Sequence, residues 1–253
     1  MKQRHVAAVV AEALGVFTLV LIVLSVSRLG YPFFTAIAAG VTITVMASAF
    51  GKISGGHFNP AISVSMLAIR KTSAVRALAY ILAQVAAAFA ALKVYEMLVD
   101  NKLTSSSGTF DWRIFVAEAL GAVIFGAAFA AVVTQKIEGY QAAYVIGAGL
   151  FLGIVVASLV SVGVVNPAVA VGLKLTDVNY IFGPVVGALV GFGLVAFVIN
   201  PVVASSKVVV ATSTTRIETD NVVAKKVTTV SAKKPAAKKS TAKKSTAKKT
   251  TKK

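Results

Sequence analysis

Ser54-Gly55-Gly56-His57-Phe58-Asn59-Pro60-Ala61 decides the fold of this chain, because its last three residues return as Asn166-Pro167-Ala168, 107 residues further on. Asparagine is a favoured helix N-cap and proline a favoured first helical residue, so each Asn-Pro-Ala predicts a helix start. Both starts follow a glycine-containing bend, the second being Ser161-Val162-Gly163-Val164-Val165. The apolar stretches behind them, 60–69 and 167–175, are too short to cross about 30 Å of hydrocarbon, which takes roughly 20 residues. They are expected to be re-entrant half-helices, permitted at membrane depth where protein or a water-filled lumen satisfies the irregular backbone.

A second marker repeats in the same order. Ala11-Glu12-Ala13-Leu14-Gly15 recurs unchanged as Ala117-Glu118-Ala119-Leu120-Gly121, 106 residues later. Two markers at nearly one offset imply a duplicated unit, spanning about 5–100 and 111–200. Long apolar runs at 6–27, 33–50, 75–98, 112–134, 142–161 and 180–199 give three spans to each copy. Because three is odd, the second copy enters from the opposite face, and the repeat is inverted. The fold class is therefore an all-α membrane protein of six transmembrane helices plus two re-entrant half-helices.

Composition agrees. The 253 residues are 57% hydrophobic and 14% charged, with a mean hydropathy of +0.83, whereas soluble domains carry about 45–50% apolar and about 25% charged residues. Runs of Gly, Ala and Ser within the spans suit close helix packing in lipid. Cysteine is absent, which excludes disulfides, thiolate metal sites and a cysteine nucleophile.

Lys2, Arg4, Lys52, Arg70, Lys71, Arg76 and Lys136 fall on one side of the predicted spans, and Arg28, Lys93, Lys102, Arg113 and Lys174 on the other. The bias, with a basic tail on the first side, places both termini in the cytoplasm. The first apolar run is too long for a signal-peptide core and has no small-residue cleavage site, so it reads as an uncleaved helix.

The inverted repeat brings the two half-helix N-termini together near the midplane, with their partial positive ends facing. If each asparagine oxygen caps its own helix, its NH₂ group is expected to be free to face a lumen. A neutral, oxygen-bearing molecule accepts hydrogen bonds from Asn59 and Asn166 there, while a cation meets two like-signed dipole ends.

With Tyr80-Ile81-Leu82-Ala83-Gln84 in the third span added to these blocks, residues 5–200 resemble the major intrinsic protein family, the aquaporins and glycerol facilitators. The resemblance implies a homotetramer with one pore per subunit, a plasma-membrane location and passive flow of water, glycerol-like polyols, ammonia or neutral metalloid acids. It implies pore roles for Asn59, Pro60, Ala61, Asn166, Pro167 and Ala168. It further implies that Glu12 and Glu118 brace the re-entrant loops through backbone N–H groups, with His57 near Glu12 and no histidine counterpart at Val164. The family usually carries arginine three residues after the second asparagine, where this chain has Val169. The other filter positions resemble Ala39, Ile154 and Gly163, so the outer filter is small or aliphatic throughout. Such a filter favours solutes larger or less polar than water, and it can also stop flow by dewetting. Lys174 resembles a glycerol-facilitator position, Ala170 replaces that group's usual aspartate, and Tyr180 is closer to the water-channel pattern. Gln84 reads as helix-packing glue and Trp112 as an interfacial anchor.

No enzyme constellation is visible, and neither a metal nor a cofactor is expected. Residues 205–253 form a separate segment. Residues 201–253 carry fourteen basic residues against Glu218 and Asp220, with lysine pairs every five residues from Lys233-Lys234. That composition predicts a disordered cytoplasmic tail able to attract nucleic acid or anionic lipid. The rival to a channel is thus a non-conducting membrane scaffold that tethers nucleic acid or anionic lipid through this tail.

Overall fold

The computed structural model describes residues 2–105 and 108–202, and the expectations for residues 205–253 lie outside the described residues. Eight helices follow in order: α1 (Lys2–Ser27), α2 (Pro32–Ser54), α3 (Pro60–Ala68), α4 (Ala74–Val99), α5 (Trp112–Gln135), α6 (Gly139–Ala157), α7 (Pro167–Gly172) and α8 (Val178–Gly193). A π-helical turn, Leu194–Ile199, extends α8. Among the described residues there is no strand.

Local chemistry sets most of the starts. Proline opens α2, α3 and α7. Ser73, Asp111 and Asp177 cap α4, α5 and α8 by accepting the N–H groups of Arg76, Arg113 and Asn179. Six of the helical segments are long and apolar enough to cross a membrane. The 26 residues of α1 and of α4 each extend about 39 Å at about 1.5 Å per residue. Their outward faces carry Val10, Leu14, Leu78 and Leu82, all about half exposed or more. Such a surface belongs in lipid, and the chain is an integral membrane protein.

The half-helices are shorter than the full spans, as expected, but α7 stops at Gly172 and not near 175. Lys174 takes a left-handed φ of 57°, and the Leu175 N–H returns to the Ala170 carbonyl at 2.9 Å. This turn closes the helix by satisfying its last carbonyls. Arg70 and Lys71 close α3 the same way, with Arg70 at φ 58°. The fifth span also ends earlier than expected: residues after Ala157 turn, and Ser161 belongs to the bend before Asn166.

The inverted repeat is visible in which helices touch. Packing of α1 on α2 and α4 is matched by α5 on α6 and α8, and α3 on α8 by α7 on α4. The α2–α6 pair joins the halves. Small residues allow these approaches: a Cβ on Gly187 would collide with the Ala119 carbonyl oxygen of α5. Close backbone contact of this kind replaces the hydrophobic drive that lipid cannot supply.

Candidate functional site

The two Asn-Pro-Ala starts meet inside the bundle. Asn59 is extended, with φ −159°, and its Oδ1 accepts the Ala61 N–H at 2.8 Å. Asn166, at φ −149°, accepts the Ala168 N–H at 3.0 Å. Each amide nitrogen then donates across the molecule, Asn59 to the Val165 carbonyl at 3.0 Å and Asn166 to the Phe58 carbonyl at 2.9 Å. This corrects the expectation of free NH₂ groups. One N–H of each amide is committed to the opposite loop, because those carbonyls are turned inward at membrane depth and need a donor. An amide nitrogen has two hydrogens, so one per asparagine is left over.

The inward turn requires unusual backbone. Phe58 and Val165, each just before its asparagine, have φ of 46° and 56°. Left-handed geometry at a bulky or β-branched residue costs about 1–3 kcal/mol and persists only where neighbours enforce it. Two carboxylates sit at the right points to do so. Glu12 Oε1 accepts the His57 N–H at 2.9 Å, and Oε2 accepts the Phe58 N–H at 2.6 Å. Glu118 repeats the pattern with Val164 at 2.9 Å and Val165 at 2.6 Å. Both glutamates are fully buried, and their oxygens are met by N–H and O–H donors, not by a cation.

One serine completes each bend. Ser54 Oγ accepts the Gly56 N–H at 3.0 Å, and Ser161 Oγ accepts that of Gly163 at 2.9 Å. Ser161 also donates to Glu118 at 2.6 Å. These serines recur at the same offset as the asparagines, a signal present in the sequence and not used in its reading.

Beyond this the halves differ. Gln84 donates to Glu12 at 2.8 Å and to Ser63 at 3.3 Å, so it is a member of the polar cluster and not merely packing. The His57 ring pairs with Ser63 Oγ at 3.0 Å and meets the Tyr80 ring edge-on at 5.1 Å. His57 therefore touches Glu12 through its backbone, not its ring. Val164 brings no ring to the second loop.

Ala39, Ile154, Gly163 and Val169, drawn from α2, α6, the second bend and α7, surround one cavity together with Asn166. Its volume is about 10 Å³, near the least that holds one water. Leu19, Val23 and Leu150 complete an aliphatic wall in which Thr35 brings the hydroxyl. Gly163 is small for a backbone reason. Its φ is 69°, and a Cβ there would press on Ser158 Oγ and lie 2.9 Å from the Ile154 carbonyl oxygen. A much larger cavity, about 650 Å³, opens among the ends of α2 and α5 and the start of α6, with Lys52 and Glu138 in its lining.

Lys174 does not line the small cavity. Its Nζ bonds Glu96 at 2.8 Å and the Leu103 carbonyl at 2.5 Å. Glu96 also holds Lys93 at 2.9 Å and the Leu103 N–H at 3.2 Å. The network ties the turn after α7 to the end of α4. Trp112 opens α5 and is 65% exposed. No group of three or more potential metal ligands gathers among the described residues.

Comparison with known proteins agrees with this architecture. The family model described as Major intrinsic protein matches residues 1–111. The chain is 33% identical over 203 residues to a glycerol uptake facilitator protein-like 6 of Lactiplantibacillus plantarum, covering 71% of this chain and 92% of that one. It is 28% identical over 219 residues to nodulin-26 of Glycine max, covering 78% and 81% respectively. The solved aquaglyceroporin of Plasmodium falciparum superposes with a TM-score of 0.66 at 20% identity, covering 79% of this chain and 99% of that one. Paired Asn-Pro-Ala starts, an inverted repeat and these relatives lead to one conclusion: the chain belongs to the major intrinsic protein family of membrane channels, the aquaporins and glycerol facilitators, which are transporters and not enzymes.

Proposed function

We propose that this chain is a passive pore for small uncharged solutes, with an aliphatic outer constriction at Ala39, Ile154, Gly163 and Val169. The observation that carries the reading is the crossed pairing of Asn59 and Asn166. It leaves one N–H on each amide as a donor at the junction of the half-helices. Glycerol-like polyols, ammonia and neutral metalloid acids accept hydrogen bonds there, and so does water. A cation finds donors and no pore carboxylate, since Glu12 and Glu118 have both oxygens turned to the loops.

Val169 places a branched alkyl group where a guanidinium would offer fixed charge and several donors. The constriction then selects by size and by dehydration cost. Water, which finds few hydrogen-bonding groups in these walls beyond the Thr35 hydroxyl and Asn166, is disfavoured relative to solutes with apolar surface. A relative whose name describes glycerol uptake favours the polyol class. Glu12 and Glu118, with His57, brace the loops that carry the asparagines.

The working assembly is a homotetramer in the cell membrane with both termini cytoplasmic, supported by the family and by the excess of basic loop residues on that side. Stopped-flow light scattering of proteoliposomes, with water and glycerol gradients in turn, tests the proposal. Glycerol flux above that of empty vesicles is expected. No flux of either solute, together with co-flotation of DNA, would support the rival scaffold that acts through the tail.

A further inference from the structure

At the end of the bundle that holds the start of α1, a cavity of about 660 Å³ is lined by Arg4, His5, Lys52 and Arg76. The remaining lining is apolar: Ala7, Ala8 and Ile53. The four basic residues come from the first turns of α1 and α4 and the last turn of α2. No acidic side chain lines the cavity. The two salt bridges among the described residues, both to Glu96, involve Lys93 and Lys174 and none of these four. Arg4, Lys52 and Arg76 bring like charges to one cavity, where they repel, and an anion seated among them removes that repulsion.

The position in the bilayer narrows the anion. Helices of about 39 Å overshoot a hydrocarbon core of about 30 Å, so their first turns lie among lipid headgroups. From the same end, α1 turns Val6, Val10 and Leu14 outward, and α4 turns Val75, Leu78 and Leu82 outward. A basic cavity is therefore continued along the helices by exposed apolar surface, which matches a molecule with an anionic head and alkyl tails. We propose that Arg4, His5, Lys52 and Arg76 form a seat for the phosphate headgroup of an anionic phospholipid. This seat is built from residues of α1, α2 and α4 and uses none of the tail's lysines. By joining α1, α2 and α4, the bound headgroup ties together the helices that carry Glu12 and the first re-entrant loop.

Native mass spectrometry of the purified full chain tests this with phosphatidylglycerol, phosphatidylcholine and inorganic phosphate as probes. Phosphatidylglycerol should be retained in preference to phosphatidylcholine. Its affinity should fall about tenfold or more in the double variant Lys52→Gln/Arg76→Gln. It should persist in Lys52→Arg/Arg76→Lys and in a tail variant with Lys243, Lys244, Lys248 and Lys249 changed to Gln. Retention by wild type should also drop several-fold between about 50 mM and about 500 mM salt, a reading that needs no variant to fold. Equal retention of the two lipids, indifference to salt, or loss only in the tail variant overturns the proposal. Displacement of the lipid by inorganic phosphate at millimolar concentration would also overturn it, by showing a site for a free anion.

Discussion

In the proposed pore, Val169 stands where the family resemblance implies an arginine, and its surroundings make the effect of replacing it directional. The side chain is 4% exposed and borders a cavity of about 10 Å³. Val169→Ala removes two methyl groups from the wall, so glycerol permeability should rise more than water permeability. Val169→Arg fills the space and adds donors, and should lower glycerol flux more than water flux while reducing any proton leak. Paired flux measurements on protein that passes a folding check decide this, and unchanged ratios in both variants would remove Val169 from the constriction. The buried carboxylates support a second prediction. The partners of Glu12 are donors: the His57 and Phe58 N–H groups, the Gln84 amide and the Ser54 hydroxyl. Glu12→Gln turns an acceptor into a donor facing one of them, at a cost of about 1–3 kcal/mol for the unsatisfied buried group. A lowered thermal unfolding midpoint is expected in Glu12→Gln, and equally in Glu118→Gln, where Val164 and Val165 are the backbone donors.

Helix packing sets a test at the next scale. Gly187 of α8 presses against the Ala119 carbonyl of α5, whereas Gly193 at the end of α8 has nothing within 4 Å of an added Cβ. Gly187→Ala must separate two helices that pack along their length, an overpacking that costs about 1–3 kcal/mol. Gly193→Ala should be neutral, and thermal unfolding in detergent compares the two. The same scale shows what a sequence can and cannot reveal. Six spans and two half-helix starts were legible, because apolar length and the Asn-Pro pair are local signals. The stop of α7 was not, because the apolar run continues through Leu173 and Leu175 while the break is a left-handed turn at Lys174. Crossed pairing of Asn59 with Val165 and Asn166 with Phe58 was hidden for another reason. It depends on two loops 107 residues apart meeting with their carbonyls turned inward, and nothing in either loop alone announces the other. Gln84 was equally obscure, since one amide in an apolar helix does not disclose that a carboxylate 72 residues earlier faces it.

For the whole molecule, charge and transport should separate. The pore as proposed draws on α1, α2, α6, α7 and the two bends, all within residues 2–202, while fourteen of the 26 basic residues lie in 201–253. The six spans and both half-helices also lie within residues 2–202, so a cut at 205 removes no membrane-crossing segment. Deleting 205–253 should therefore leave water and glycerol flux per inserted chain unchanged. Binding to DNA should fall, because its strength follows the number of phosphates that lysines neutralise and it weakens steeply with salt. Binding to anionic vesicles should fall only partly, since Arg4, His5, Lys52 and Arg76 remain on the body. Mercurials supply an internal control: with no cysteine in the chain, flux in both the full and the truncated protein should survive them. Flux counted per correctly inserted chain, with vesicle and DNA co-flotation measured on the same preparations, decides the matter. If flux disappears with the tail in protein that inserts normally, the tail gates or assembles the pore, and the separation of transport from charge is wrong.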